Sequence, residues 1–397
     1  MTRIGIAFNL KPEPLTTPMG ATLAGAGDDT ADPIHGDEEP PSNGAARVRS
    51  PRQRSGAIGQ PDSTVLVQDV ATDDEYAEWD TAETIDAVAD ALSAYGTVSR
   101  LEATPDFPER LRAERPDIVF NMAEGSGGKN REAHVPAICE FLGIPYTGSD
   151  PLTLSLCLDK SRTKEVLSHY GVATPSFTVV ESADTVDALS SALRYPLFVK
   201  PIHEGSSKGI TERNLCQGPA DLAAQVEFLL ETYAQPVLVE EYLPGAEFTC
   251  AVLGNGRKAR VLPIVGMDFD ALPDGALPVY GFEAKWLWDR PDAPLRIFEC
   301  PAAISDALRR TIESTTLRAY QALGCRDWSR VDVRLDAAGV PNVIEVNPLP
   351  GILPDPADNS CFPKAARAAG ISYESLIQTC LTLAGERQGI RLRRART

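Results

Sequence analysis

The chain lacks any apolar run approaching the roughly 20 residues that span a bilayer. Its opening residues, Met1-Thr-Arg-Ile-Gly-Ile-Ala, lack the pattern of a secretory leader. No membrane segment is therefore expected, and the expected location is the cytoplasm. Eight cysteines include no Cys-x-x-Cys pair, and the four histidines are equally dispersed, so neither a disulfide framework nor a zinc site is expected. Positive charge is scarce: 38 Lys and Arg against 56 Asp and Glu leave a net charge of −18. That balance argues against nucleic acid and anionic membranes as partners, while leaving room for a local basic pocket that holds nucleotide phosphates. The G-x-x-x-x-G-K-[ST] phosphate loop is absent, as are internal repeats.

What is present fits a soluble α/β protein of two or three domains: 397 residues, 43% hydrophobic and 24% charged. Arg3-Ile-Gly-Ile-Ala-Phe8 reads as a buried first strand. Residues 11–62 follow, rich in Pro, Gly, Ala, Ser and Asp with almost no large apolar side chains, and are expected to be a mobile, solvated insertion rather than a lid. Order is expected again near Ser63-Thr-Val-Leu-Val. Helical spacing over Ala82 to Leu92 and strands at Val98 to Leu101 and Asp117 to Asn121 give βαβ alternation, hence a parallel sheet. The loop Asn121-Met-Ala-Glu124-Gly-Ser-Gly-Gly128 leaves the carboxyl end of its strand, where open α/β sheets bind ligands; its glycines are equally compatible with plain turns. A helix over His134 to Leu142 and the segment Ile144 to Ser149 close this part.

Further on, Leu197-Phe-Val-Lys200 ends an apolar strand in a lysine that calls for an anion, and Glu204-Gly-Ser206-Ser207-Lys-Gly209 offers backbone N–H groups and hydroxyls to phosphate. Val237-Leu-Val-Glu240-Glu241-Tyr-Leu243 can present backbone groups to an adenine edge and a carboxylate to ribose, or be a charged edge strand. Gly281-Phe-Glu283-Ala-Lys285-Trp286 lacks regular periodicity and suits a closing loop. Near the end, Arg330-Val-Asp332-Val-Arg334 and Ile344-Glu345-Val-Asn347 flank Asp336-Ala-Ala-Gly339 and read as an antiparallel hairpin. Folding it about residues 338 and 339 sets Asp332 opposite Glu345, with Asn347 on the same face as Glu345. Such an oxygen-only set suits Mg²⁺ or Mn²⁺; a solvated strand face is the alternative. Ala365 to Arg394 reads as one helix with a basic end.

Taken together, Lys200-Pro with Glu204-Gly-Ser-Ser207, Glu240-Glu-Tyr-Leu243 with Glu247-Phe-Thr, Glu283-Ala-Lys285, Cys300-Pro-Ala, Arg330-Val-Asp332 and Glu345-Val-Asn347 resemble the D-alanine–D-alanine ligase family of the ATP-grasp superfamily, over most of residues 110 to 385. The resemblance implies an α/β ATP-grasp fold, α+β in its C-terminal part. It places an N-terminal parallel-sheet domain at 1–155, a central subdomain at 156–243 and a C-terminal subdomain at 244–397. It implies that Lys160 and Lys200 hold the α and β phosphates and that Ser206 and Ser207, with Glu204, form the phosphate loop. Glu240, Glu241 and Leu243 would meet adenine, Glu247 the ribose, and Lys285 the γ phosphate. Asp332, Glu345 and Asn347 match the family's magnesium ligands, for two ions, and Arg330 the arginine that steadies a tetrahedral intermediate. Arg330, Lys285 and Ser206 are thus the implied catalytic residues. The implied reaction is ATP-dependent amide formation through an acyl phosphate, in a homodimer.

Departures fall on the amino-acid side. The family's glycine-rich turn and Glu-Arg-Glu-Val-Ser-like segment after the first strand are replaced by Asn9-Leu-Lys-Pro running into the insertion, so that contact is expected to be missing. Glu124, Arg131, Trp286 and Gly351, with Arg330, stand at candidate substrate positions, with Trp286 where a tyrosine is usual. Glu124 and Glu132 hint at a cationic substrate unless Arg131 and Lys129 neutralise them. The expectation is a specialised ligase joining an amino acid or similar acid to an amine. Cell-wall D-alanine–D-alanine ligase activity, a non-catalytic ATP-binding module and a phosphotransferase are the alternatives.

Overall fold

The computed structural model describes residues 1–12, 76–186, 192–273, 275–281, 283–289 and 295–394. The expected insertion from residue 13 onward and the strand expected at Ser63 to Val67 lie outside these residues. Met1–Lys11 and the chain from Ala71 belong to one unit.

Strand β1 (Thr2–Phe8) is apolar on both faces because it is the middle of a parallel sheet, with β2 (Gly96–Glu102) on one side and β3 (Ile118–Asn121) on the other. Alternation divides its side chains. Ile4, Ile6 and Phe8 pack with Ile85, Val88 and Leu92 of helix α1 (Ala82–Ser93), whereas Ala7 packs with Phe107 and Leu111 of α2 (Phe107–Glu114). Gly96 can open β2 because a Cβ there would lie 1.8 Å from the Thr2 carbonyl oxygen. Helix α1 starts at Thr81, whose hydroxyl accepts from the Thr84 amide at 3.3 Å. Thr81→Ala is expected to cost about 1 kcal/mol, read as a lower urea midpoint at unchanged m-value.

Helix α3 (His134–Leu142) covers the sheet, and α4 (Pro151–Leu158) and α5 (Lys160–His169) lead into a second, antiparallel sheet. Its order is β4 (Phe177–Val180), β7 (Val237–Glu241), β5 (Leu197–Pro201), β6 (Leu215–Cys216). Helix α6 (Pro219–Tyr233) turns Leu222, Val226 and Leu229 onto Val199, Val237 and Val239 of that sheet.

The third sheet is built on β8 (Glu247–Leu253), flanked by β10 (Val265–Met267) with β11 (Phe298–Glu299) on one side and β12 (Trp328–Leu335) with β13 (Pro341–Asn347) on the other. The short β9 (Arg260–Val261) also pairs with β8. Helix α7 (Asp306–Ala322) buries Ile312 and Ala319 against this sheet. Trp328, fully buried, sits edge-on between Phe120 of β3 and Phe362 of α8 (Cys361–Ala368), each ring centre 5.6 Å away, and so ties the first sheet to the third.

The C-terminal region departs from the single helix read over Ala365 to Arg394. It forms α8 and α9 (Tyr373–Arg387), separated where Gly370 adopts a φ of 75°. The Ile371 amide closes the end of α8 on the Ala366 carbonyl, and Ser372 caps α9 through the Ser375 amide. Apolar periodicity ran through this break because both helices face one core.

Candidate active site

A cavity of about 430 Å³ opens among the three sheets. One wall begins at the end of β5. Lys200 lies 2.8 Å from Glu240 Oε1, and Lys164 of α5 lies 2.7 Å from Glu240 Oε2. All three side chains are buried, forming a Lys–Glu–Lys triad. Burial alone would raise the Glu240 pKa, but the two lysines outweigh it and hold the carboxyl below its ordinary range. Lys164, absent from the sequence reading, is pushed down to about 8 by burial, against the pull of Glu240. Lys160, at the start of α5, lies 2.9 Å from Glu345 Oε1 and donates to the Glu204 carbonyl. In the loop after β5, Ser206 and Ser207 adopt φ of 49° and 63°, and Ser207 Oγ donates to the Tyr280 carbonyl at 3.0 Å. These left-handed turns are costly for side-chain-bearing residues and recur where a loop serves a ligand.

At the far wall, Glu240, Glu241, Tyr242 and Leu243 run past the end of β7. Glu241 is held by the exposed Arg194 at 2.8 Å. Arg334, read from sequence only as a strand-face residue, is buried and organises this wall. It donates to the Leu243 carbonyl at 2.7 Å, to Glu247 Oε2 at 2.7 Å and to the Tyr242 hydroxyl at 2.6 Å. Glu247 is nevertheless raised above its ordinary pKa, since desolvation outweighs Arg334.

The hairpin of β12 and β13 pairs Asp332 with Glu345, as expected, and Arg330 with Asn347. Nearer the turn the register slips by one, Val333 pairing with Val343, so that Ile344 is bulged. That irregularity lies beyond what residue alternation shows. Asp332 accepts from Arg330 Nη2 and from Thr249 Oγ1, both at 2.9 Å. Asn347 Oδ1 accepts from the Leu349 amide at 2.9 Å. Against the rise that burial alone would bring, Lys160, Lys200 and Arg330 hold Glu345 at a pKa of about 2, whereas desolvation raises Asp332 despite Arg330. Among the described residues no three His, Cys, Asp or Glu gather as a metal cluster; the candidate set is two carboxylates and a carboxamide facing the cavity. Its donors are hard oxygens, and both carboxylates already draw cationic side chains, Lys160 and Arg330. The set therefore fits a divalent cation.

Lys285 lines the cavity from a π-helical turn, Glu283–Trp288, where the sequence suggested an irregular loop. Burial, with Arg330 nearby, lowers its pKa to about 8. The Trp286 side chain lies outside the described residues. Gly351 and Glu124 also line the cavity.

Two expectations for the amino-acid side need correction. The first-strand contact is not simply missing, because the chain returns to the carboxyl end of β1. Leu10 bridges Asp80, the Lys11 amide donates to the Asp80 carbonyl at 2.8 Å, and Glu78, Trp79 and Asp80 line the cavity. Arg131 does not line the cavity: its guanidinium is buried against Glu78 at 2.9 Å and donates to the His203 carbonyl at 2.8 Å. Arg131 lies close enough to lower the pKa of Glu124, yet burial, with Glu132 and Glu78 crowding it, raises that pKa strongly. Glu132, behind it, is pushed up to about 8, by burial first and Glu78 second. Asp80 is raised well above its ordinary value by burial.

Comparison with known proteins decides the family. Residues 166–382 match the family model described as the D-ala D-ala ligase C-terminus. The chain is 36% identical over 304 residues to a D-alanine–D-alanine ligase of Ectopseudomonas mendocina, covering 76% of this chain and 89% of that one. The chain belongs to the D-alanine–D-alanine ligase family. It is accordingly an ATP-dependent, ATP-grasp ligase that forms C–N bonds. An uncharacterized Sinorhizobium fredii protein, y4sG, is 39% identical over 274 residues, covering 68% of this chain and 75% of its own length. Among solved structures, a D-alanine–D-alanine ligase of Bacillus anthracis complexed with ATP shares the fold, with TM-score 0.60, 21% identity and coverage of 98% and 99%. VanG, a D-Ala:D-Ser ligase of Enterococcus faecalis, gives TM-score 0.55 at 28% identity, with coverage of 68% and 73%. No described helix is long and apolar enough to cross a membrane.

Proposed function

We propose that this ligase joins an amino acid or amino-acid-like acid to an amine other than in the pairing of two D-alanines, through an acyl phosphate. The observation that carries the reading is the division of the cavity. On the nucleotide side Lys160, Lys164, Lys200, Arg330 and Arg334 each meet a carboxylate, whereas Glu124 and Asp80 line the amino-acid side with raised pKa values. On this reading Lys160, Lys200, Ser206 and Ser207 hold phosphates, Leu243 and the β7 end hold adenine, and Glu247 takes the ribose. Asp332, Glu345 and Asn347 would hold Mg²⁺, as two ions. The metal supplies charge neutralisation between the nucleotide and the incoming carboxylate. Lys285 and Arg330 add positive charge where the acid's carboxylate oxygen bonds to the γ phosphorus and ADP departs. Arg330 then faces the oxyanion formed as the amine attacks the carbonyl carbon and phosphate leaves. We read the three sheets as domains 1–155, 156–243 and 244–397, in a homodimer.

A matrix of amino acids and amines with ATP and Mg²⁺, read by mass spectrometry, tests the proposal. ADP together with an amide other than D-alanyl-D-alanine is the expected product. The 36% identity to a D-alanine–D-alanine ligase favours a second reading, and D-alanyl-D-alanine as the main product would establish it. A phosphorylated hydroxyl would redirect the assignment to phosphoryl transfer.

A pH profile checks Lys285. Its charge is present below a pKa of about 8 and lost above it. Free-enzyme kcat/KM for ATP should fall as pH rises through about 8, and Lys285→Arg should remove that descending limb. A limb that survives the substitution would assign it to another group.

A further inference from the structure

We infer that Glu78 is a positioning residue that clasps the phosphate loop from the N-terminal side, with Lys208 and Arg131 as its two cationic arms. The inference rests on the proposed nucleotide site and deepens it. Glu78 Oε2 lies 2.9 Å from Arg131 Nη2 and 3.3 Å from Lys208 Nζ, and all three side chains are at most 9% exposed. Lys208 belongs to the loop itself, one residue beyond Ser206 and Ser207 with their positive φ. Arg131 continues through its other nitrogen to the carbonyl of His203, at the loop's opposite end, at 2.8 Å. One carboxylate therefore fixes both ends of the turn that carries the phosphate-facing hydroxyls.

Further observations make this a built contact. The loop approaches Glu78 so closely that a Cβ on Gly205 would lie 2.1 Å from Glu78 Oε1. Burial alone would raise the Glu78 pKa, but Arg131 and Lys208 outweigh it, so the carboxylate stays charged. Lys208 has a weaker second anchor in Glu204 Oε2 at 3.6 Å, whose other oxygen accepts from Gln235 Nε2 at 2.8 Å. Holding a left-handed Ser-Ser turn in place before the ligand arrives removes an ordering cost from binding. On the proposed site this turn serves the β and γ phosphates, so the clasp should act on ATP and leave a nucleotide lacking them unaffected.

Calorimetric titration of the full chain with ATP plus Mg²⁺, and separately with AMP, tests the inference. Lys208→Met should weaken ATP about ten-fold and leave AMP within about two-fold; Glu78→Gln should do the same. The double variant should lose less than the product of the single losses, because Lys208 and Glu78 share one contact, and Lys208→Arg should recover most of the loss. ATP affinity within two-fold of wild type in Lys208→Met overturns the clasp. So does a parallel loss of ATP and AMP, which marks general damage, or a double variant whose loss is the product of the single losses. Wild-type protein that binds AMP but gains nothing from the β and γ phosphates would instead strike the nucleotide-site reading underneath.

Discussion

Glu345→Gln is expected to lower kcat by at least about a hundred-fold, while the chain stays folded. The substitution keeps the shape of the side chain and removes its charge. Three cations, Lys160, Lys200 and Arg330, now hold that carboxylate ionised at a pKa of about 2, and Lys160 sits 2.9 Å from it. On the proposed assignment the same charge grips the divalent ion, so its loss weakens metal binding and leaves Lys160 without its carboxylate. ADP release under an Mg²⁺ titration reads the effect, with a melting curve recorded alongside. A rate within ten-fold of wild type at saturating Mg²⁺ would remove Glu345 from the site.

Glu240→Ala acts on stability. It leaves Lys164 and Lys200, side chains no more than 7% exposed, without the one carboxylate that both contact. Removing one member of a buried ionic set in this way costs about 3–5 kcal/mol. The neighbouring Glu241→Gln should leave the melting curve almost unmoved, because its partner Arg194 is 88% exposed. The pH dependence has a definite sign. Lys164 and Lys200 hold the Glu240 pKa down against burial, so its stabilising share is full above the ordinary carboxylate pKa and fades as pH falls through the lowered one. Urea melts should show a wide gap between wild type and Glu240→Ala at pH 7 that narrows in acid. An equal gap at both pH values would mean that charge is not the cause.

Of the residues proposed to hold nucleotide, Lys200, Glu240 and Glu247 at strand ends and Ser206 and Ser207 in a tight loop were legible because the local pattern there fixes side-chain direction. Asp332 opposite Glu345 follows from period-two alternation alone, and the fold reproduces that pair. Lys164 went unread, and Arg334 was read only as a strand-face residue, for a shared reason. Each is a buried cation whose meaning depends on a carboxylate far away in the chain, Glu240 or Glu247, which no local pattern announces. The amino-acid half was harder still. Glu78 to Asp80 reach the site only because the chain comes back to Leu10 after a long excursion. Arg131 was read as facing substrate because nothing nearby in sequence shows that Glu78 engages it. The break at Gly370 went unseen because two helices resting on one core repeat the same apolar spacing.

The stitch between Leu10 and Asp80 carries a consequence for how this architecture can change. The backbone leaves β1 and re-enters α1 at adjacent points, zipped by Lys11 N to Asp80 O at 2.8 Å and Asp80 N to Asn9 O at 3.0 Å. Closing a loop grows only slowly more costly with its length, so the span between these stems can lengthen or shorten without moving the catalytic framework. Evolution, or a protein engineer, can use that seam as a docking port for new polypeptide at the rim of the cavity.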